Sequence, residues 1–386
     1  MRLSLVILVF CAIFSAGTAV KSFRWCTKNT HEVKKCQDFK KALVEIAKIA
    51  GVDITPDCVK GTDDEDCMKK IMDKKADFIT LDGGKVYKAG KCYELVPIVA
   101  ENYGPPDGIS YYSVAVARNT TDINFRNLKG KKSCHTGYRR TAGWNIPVGR
   151  LLEDKIMENK GSDVKSASEF FSESCVPGVP AGYDNLCKLC PEGSKCSSNG
   201  SMNAYSGYNG AFKCMADNKG DVAFVKHLTT GAVLKDGKYG NMSDYKYLCT
   251  DGTSKVVTKL SHESCNFGAN PSHAVVGRAG ENADFVKVLV TASKYCQPNK
   301  TASNCTAFLI FNSNKYGGSN LLFKDSTKEL VDVKDKTTYE KWLGDHYTKA
   351  MEALGNTKCS DPESGAMNVN PLPALLAVLV FIKAFL

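Results

Sequence analysis

The sequence predicts an α/β protein of two domains with mixed sheets. Three observations carry this. Helical-period and strand-like runs alternate along the chain. With the terminal signals set aside, roughly 345 of the 386 residues remain, more than one core usually fills. One long segment breaks the alternation and is rich in Cys, Gly, Ser and Asn, as in a loop stapled by disulfides.

The elements follow in order. Residues 1–19 combine Met1-Arg2, an apolar run and the small residues Ser15 to Ala19. This is a secretory signal peptide, cleaved after Gly17 or Ala19. Residues 40–50 show an amphipathic helical period, and 76–81 form a buried strand ending at Asp82. Residues 111–117 are β-rich, 149–159 helical, 176–210 the irregular loop, and 220–226 and 306–311 strands. At the far end the small triplet Ser364-Gly365-Ala366 precedes a polar spacer and an apolar segment, 372–386, broken only by Lys383. That order matches a glycolipid-anchor signal, with Ser364 as the attachment site, 359–364 as linker and 365–386 removed. A membrane-anchored tail and a secreted protein are the alternatives.

Removing both signals leaves 16 of the 17 cysteines and a formal charge of +8 in place of +10. An even count in an oxidising compartment predicts up to eight disulfides. Asn-x-Ser/Thr sequons at Asn119, Asn199, Asn241, Asn299 and Asn304 suit a secreted surface carrying glycans. The basic residues are scattered among acids with no interleaved aromatic patch, which argues against nucleic acid as a partner.

Catalytic motifs are missing from the sequence. It has no Gly-x-Ser-x-Gly, no phosphate-binding Gly-x-x-x-x-Gly-Lys-Ser/Thr, no His-Glu-x-x-His and no dinucleotide glycine fingerprint. Cys187-x-x-Cys190 has zinc-like spacing, but disulfides account better for it in a secreted chain. The chain is therefore read as a binding protein, not an enzyme.

Residues 134–149 describe an anion socket. Thr136 can cap a helix, with Arg140 one turn in to grip an oxyanion by two parallel bonds. Thr141, Ala142 and Gly143 are small enough for a ligand to reach free N–H groups at the positive end of the helix dipole. An ordinary capped helix has the same spacing, so the neighbours decide. Sixteen tyrosines offer phenolates, which with a carboxylate suit ferric iron better than thiolates do. Taken singly, Tyr111 or Tyr208 is an ordinary aromatic, His273 a hydrogen-bonded histidine and Asp82 a turn residue.

Together these residues resemble the transferrin family, over the chain from Arg24-Trp25-Cys26-Thr27 to about Cys359. The motifs are Thr80-Leu81-Asp82-Gly83-Gly84-Lys85-Val86-Tyr87, Tyr111-Tyr112-Ser113-Val114-Ala115-Val116, Gly207-Tyr208-Asn209-Gly210-Ala211-Phe212 and Pro271-Ser272-His273-Ala274-Val275-Val276. The resemblance implies a transferrin lobe of periplasmic-binding-protein-like form: two α/β domains, an interdomain cleft and a two-strand hinge. Residues 20–110 plus 271–358 would form the first domain and 111–270 the second. It implies Asp82, Tyr111, Tyr208 and His273 as ligands of one Fe3+. Thr136, Arg140, Ala142 and Gly143 would hold a carbonate (from bicarbonate), and Lys226 and Lys324 would form a pH trigger for release.

Disulfides implied by the family are Cys26–Cys67, Cys36–Cys58, Cys134–Cys214, Cys175–Cys190 and Cys249–Cys265. Cys187–Cys196, Cys296–Cys305 and Cys92–Cys359 are the pairings left for the others. The chain departs from the family at Tyr138-Arg139 in the anion loop, at Gly178 and along 150–153, where relatives carry other residues. The expectation is a single-lobe member on the cell surface, melanotransferrin-like, transporting or sequestering iron. An otolith-matrix-like structural protein is the alternative, and a scaffold inhibiting a carbonic anhydrase or a protease is a third reading. A receptor or matrix partner is left open.

Overall fold

A computed structural model describes residues 20–105, 108–280, 282–298, 308–355, 357 and 359. The signal peptide, the anchor signal with Ser364, and Asn299, Asn304 and Cys305 lie outside the described residues. Among those described the strands are β1 Lys21–Thr27, β2 Ile54–Lys60, β3 Ile79–Leu81, β4 Leu95–Asn102, β5 Ser110–Arg118, β6 Ser133–His135, β7 Ser174–Cys175, β8 Val222–Lys226, β9 Tyr245–Leu248, β10 Ser254–Val256, β11 Ala269–Pro271, β12 Ala274–Arg278 and β13 Glu329–Asp332.

They build a mixed α/β architecture. β1 and β2 pair in parallel. A four-stranded antiparallel sheet runs β13-β4-β12-β3. A seven-stranded mixed sheet runs β10-β9-β5-β8-β6-β7, with β11 alongside β5. The chain passes from the smaller sheet to the larger between β4 and β5, and returns between β11 and β12. Two antiparallel crossings thus join the sheets, and Tyr111 and His273 sit at those crossings.

Local chemistry sets the helices. The helix Thr30–Ala50 starts ten residues ahead of the expected 40–50 because the Asn29 side chain accepts the Glu32 N–H at 2.9 Å. It ends where Gly51 turns left-handed at φ 62°. Its Phe39, Leu43, Ile46 and Ala50 face inward at helical spacing and pack with Phe23, Trp25 and Phe308. Each large side chain so buried contributes about 1.5–3 kcal/mol.

Two expected elements differ. The helix foreseen over 149–159 is Ile146–Glu153, since Pro147 needs no donor in a first turn. The strand foreseen over 306–311 is absent from 308–311, which fold as loop and turn while burying Phe308 and Ile310.

Disulfides join Cys26–Cys67, Cys36–Cys58, Cys92–Cys359, Cys134–Cys214, Cys175–Cys190, Cys187–Cys196 and Cys249–Cys265. The Cys175–Cys190 and Cys187–Cys196 bridges pin the irregular loop. The sequons Asn119, Asn199 and Asn241 are exposed. No helix among the described residues is long and apolar enough to cross a membrane.

Candidate metal and anion site

Asp82 follows β3 and caps the helix Gly83–Tyr93, accepting the Lys85 N–H at 3.1 Å. Its carboxylate therefore lies at the positive end of that helix. His273 follows the return crossing, and the two side chains line one cavity of about 190 Å³ with Lys28, Asp64, Lys85 and Lys324. Burial first, then the Lys324 charge, push His273 down to about 4. At neutral pH it is an uncharged imidazole, the form that ligates metals.

Two bonds hold the His273 backbone. Its N–H donates to the Tyr103 hydroxyl at 3.2 Å, and its carbonyl accepts from Glu101 N–H at 2.8 Å. Tyr103 in turn donates to Glu101 at 3.0 Å, and the other Glu101 oxygen accepts the Lys324 N–H at 3.0 Å. Burial pushes Glu101 up to about 7.

Tyr111 is the second residue of β5, and Tyr208 stands in the first turn of the helix Gly207–Ala216. Burial and then the neighbouring Tyr208 and Tyr347 phenols push the Tyr111 hydroxyl well above 10, and Tyr208 is its hydrogen-bond partner. A phenol in that position ionises only if a cation joins it. Tyr347, from the helix Asp345–Leu354, is buried with its hydroxyl 3.4 Å from Thr141 Oγ1, and Asp82 and Tyr208 act on it electrostatically. Asp82, Tyr111, Tyr208 and His273 are thus brought into one cluster, linked through Tyr103 and Tyr347.

The anion segment corrects one expectation. Thr136 does not cap a helix: it follows β6, and the helical stretch opens later with a π-helical turn, Thr141–Asn145, before Ile146–Glu153. Arg140 is the residue preceding that turn, not one turn inside it, and its side chain makes no cap bond. It is free to reach outward, with Nη2 3.5 Å from the Ser198 carbonyl. Thr136 is fully buried, yet its Oγ1 has no hydrogen-bond partner, an arrangement that ordinarily costs stability. Gly143 faces it so closely that a Cβ there would lie 2.0 Å from Thr136 Oγ1.

The Thr136 carbonyl also accepts the Gly207 N–H at 2.9 Å, tying the anion loop to the start of the Tyr208 helix. An orphaned hydroxyl, a glycine cradle and a guanidinium, all beside Tyr208, fit a small oxyanion. Of the departures, Tyr138 packs edge-on against Trp144 and Arg139 lies over the Tyr138 ring at 5.1 Å.

Lys226 and Lys324 each sit over a phenol, Lys226 5.5 Å from the Tyr208 ring centre and Lys324 5.6 Å from that of Tyr103. Sequence reasoning missed Lys85, Glu101, Tyr103 and Tyr347. The i,i+3 spacing of Asp82 and Lys85 is a signal for the first, whereas Tyr347 has none, being 236 positions from Tyr111. Among the described residues no three His, Cys, Asp or Glu side chains gather as a metal cluster. A metal here would rest on the phenols joined to Asp82 and His273.

The transferrin family model matches residues 23–356. The chain is 41% identical over 358 residues to melanotransferrin of Oryctolagus cuniculus, covering 90% of this chain and 47% of that protein. It is 40% identical to melanotransferrin of Homo sapiens (86% and 45% covered) and 39% identical to serotransferrin of Paralichthys olivaceus (91% and 47%). The chain spans about half the length of the relatives it matches. The α/β sheets and the match over most of its length place this chain in the transferrin family.

Proposed function

We propose that this chain is an extracellular binding protein that takes one ferric ion as cargo, together with a carbonate, in the cleft between its two larger sheets. The observation that carries the reading is the half-buried, hydrogen-bonded Tyr111–Tyr208 phenol pair in the same cluster as Asp82 and His273. Two phenolates, a carboxylate and a neutral imidazole are a donor set for a hard trivalent ion. Carbonate, when bound at Thr136, Arg140, Ala142 and Gly143, supplies further oxygen donors and offsets the arginine charge. Thr136 gains the partner it lacks, and Arg140 orients toward the Tyr208 helix. The sum of charges is close to balance, so the ion can be buried.

Release in this reading is driven by acid. The phenols hold no negative charge without the ion, so protons compete with it directly. Lys226 and Lys324 stand over Tyr208 and Tyr103, where their positive charge opposes the cation. Residues 20–110 with 271–358 and residues 111–270 would be the two bodies that close on the cargo. The secretory and glycolipid-anchor signals support display at the cell surface for iron transport or sequestration.

The test is a visible spectrum of the purified protein with ferric iron, with and without bicarbonate. A tyrosinate-to-iron band that requires bicarbonate and is lost in Tyr208→Phe and Arg140→Ala is expected. It should fade between neutral and mildly acidic pH. Unchanged ferric binding in both variants overturns the reading.

A further inference from the structure

We infer that Lys85 is a resident counter-ion for Asp82 that competes with the incoming cation, lowering affinity for the cargo; the inference rests on the metal reading above. Lys85 engages both carboxylate oxygens of Asp82. Its N–H donates to Oδ1 at 3.1 Å, and its Nζ lies 3.5 Å from Oδ2. The same ammonium is 2.5 Å from Asp64 Oδ2. Lys28 completes the network, 3.0 Å from Asp64 Oδ1 and 3.5 Å from Glu32 Oε1. Lys28, Glu32, Asp64, Asp82 and Lys85 all line the cavity that also receives His273.

Two consequences follow from Coulomb's law at these separations. A metal entering the site must draw an Asp82 oxygen away from an ammonium already beside it. The trivalent ion then sits near that ammonium and the two repel, with the half-exposed Lys85 side chain partly screened by solvent. Asp64 limits the competition by sharing Lys85. The two acids therefore have opposite effects: Asp82 receives the metal, whereas Asp64 draws the lysine aside.

Removing Lys85 does not strand a carboxylate, because Asp64 keeps Lys28. Removing the Asp64 charge leaves two ammonium groups beside the site with less to hold them. The variants should move affinity in opposite directions, which a general loosening of the fold would not do.

The experiment measures ferric affinity of the full chain at fixed bicarbonate by citrate competition, following the visible band, with apo melting curves alongside. Lys85→Met is expected to bind about tenfold tighter than wild type. Lys85→Arg, which keeps the charge, should stay near wild type, and Asp64→Asn should bind several-fold more weakly. Equal or weaker binding by Lys85→Met overturns the inference, as does tighter binding by Asp64→Asn. If Lys85→Met melts as an unfolded chain, the sign of Asp64→Asn decides. A wild type that shows no band at all overturns the metal reading instead, and the inference with it.

Discussion

Gly143→Ala is a sharp probe of the anion cradle, because the cost arises from a single contact. A methyl at Gly143 would stand 2.0 Å from Thr136 Oγ1 and 2.7 Å from both Thr136 Cβ and Cγ2. Neither backbone can retreat. The Gly143 carbonyl accepts from His135 Nδ1 at 2.8 Å, and the Thr136 carbonyl is held by Gly207 N–H at 2.9 Å. The strain falls on the Thr136 side chain, in a core packed as densely as a crystal. Overpacking of this kind costs about 1–3 kcal/mol, from which the better helix propensity of alanine recovers up to about 1 kcal/mol.

A loss of about 2 kcal/mol in the apo protein is the expected net effect. Urea unfolding with disulfides intact reads it as a lower midpoint at unchanged slope. The same methyl also fills the proposed oxyanion position, so the bicarbonate-dependent band should vanish. Thr136→Gly removes the atoms in collision, and in the double variant the two losses should fall short of their sum by about 1 kcal/mol or more. A Gly143→Ala protein within about 0.5 kcal/mol of wild type, or strictly additive losses, would refute the steric argument.

Two titrating groups give predictions of opposite sign. His135 is fully buried between Ser133 Oγ and the Gly143 carbonyl, and burial pushes it down to about 4. Its neutral form stabilises the fold above the unfolded value of about 6.5, and that stability drains away as pH falls toward 4. Urea unfolding at pH 7 and pH 4 should show wild type and His135→Gln converging by about 3 kcal/mol on acidification; a constant difference would rule this out. Glu101 is raised by burial to about 7, so its protonated form favours the fold at low pH and the advantage is lost as pH rises from about 4.5 through 7. Glu101→Gln should therefore gain about 3 kcal/mol on wild type between pH 4.5 and 8, and a pH-independent offset in the same titration would count against it.

The parts of the site that could be read in the sequence are those whose chemistry is local. Asp82 stands at the junction of a strand and a helix, and the glycines after it leave its carboxylate as the cap. The sequence marked the strand end at Asp82, and the resemblance to the family, not a helical period, gave the carboxylate its role. The anion segment was recognisable by composition but not by shape. Thr136 and Arg140 lie where a helix cap and first turn were expected, and a π-helical turn starts later, leaving the hydroxyl without a partner. Residues 308–311 misled for a related reason: Phe308 and Ile310 are apolar because they fill the core beside Phe39, not because they pair in a sheet. Tyr347 and Glu101 were invisible, since each acquires its role only when distant segments meet, and no local period reports such a meeting.

The protonation pattern of the cleft ties these pieces to a function. Burial drives Tyr103, Tyr111 and Tyr347 upward, Glu101 up to about 7 and His273 down to about 4, so every one of these groups is pushed toward its neutral form. Asp82 already stands beside the Lys85 ammonium. The phenol charge, by contrast, must be created on arrival. A trivalent ion is strong enough to strip protons from the two phenols, whereas a weak cation is not. On the proposed ferric reading each ion captured would release protons, and acid-driven release would follow from the burial of Tyr111 and His273, with Lys85 shifting its midpoint.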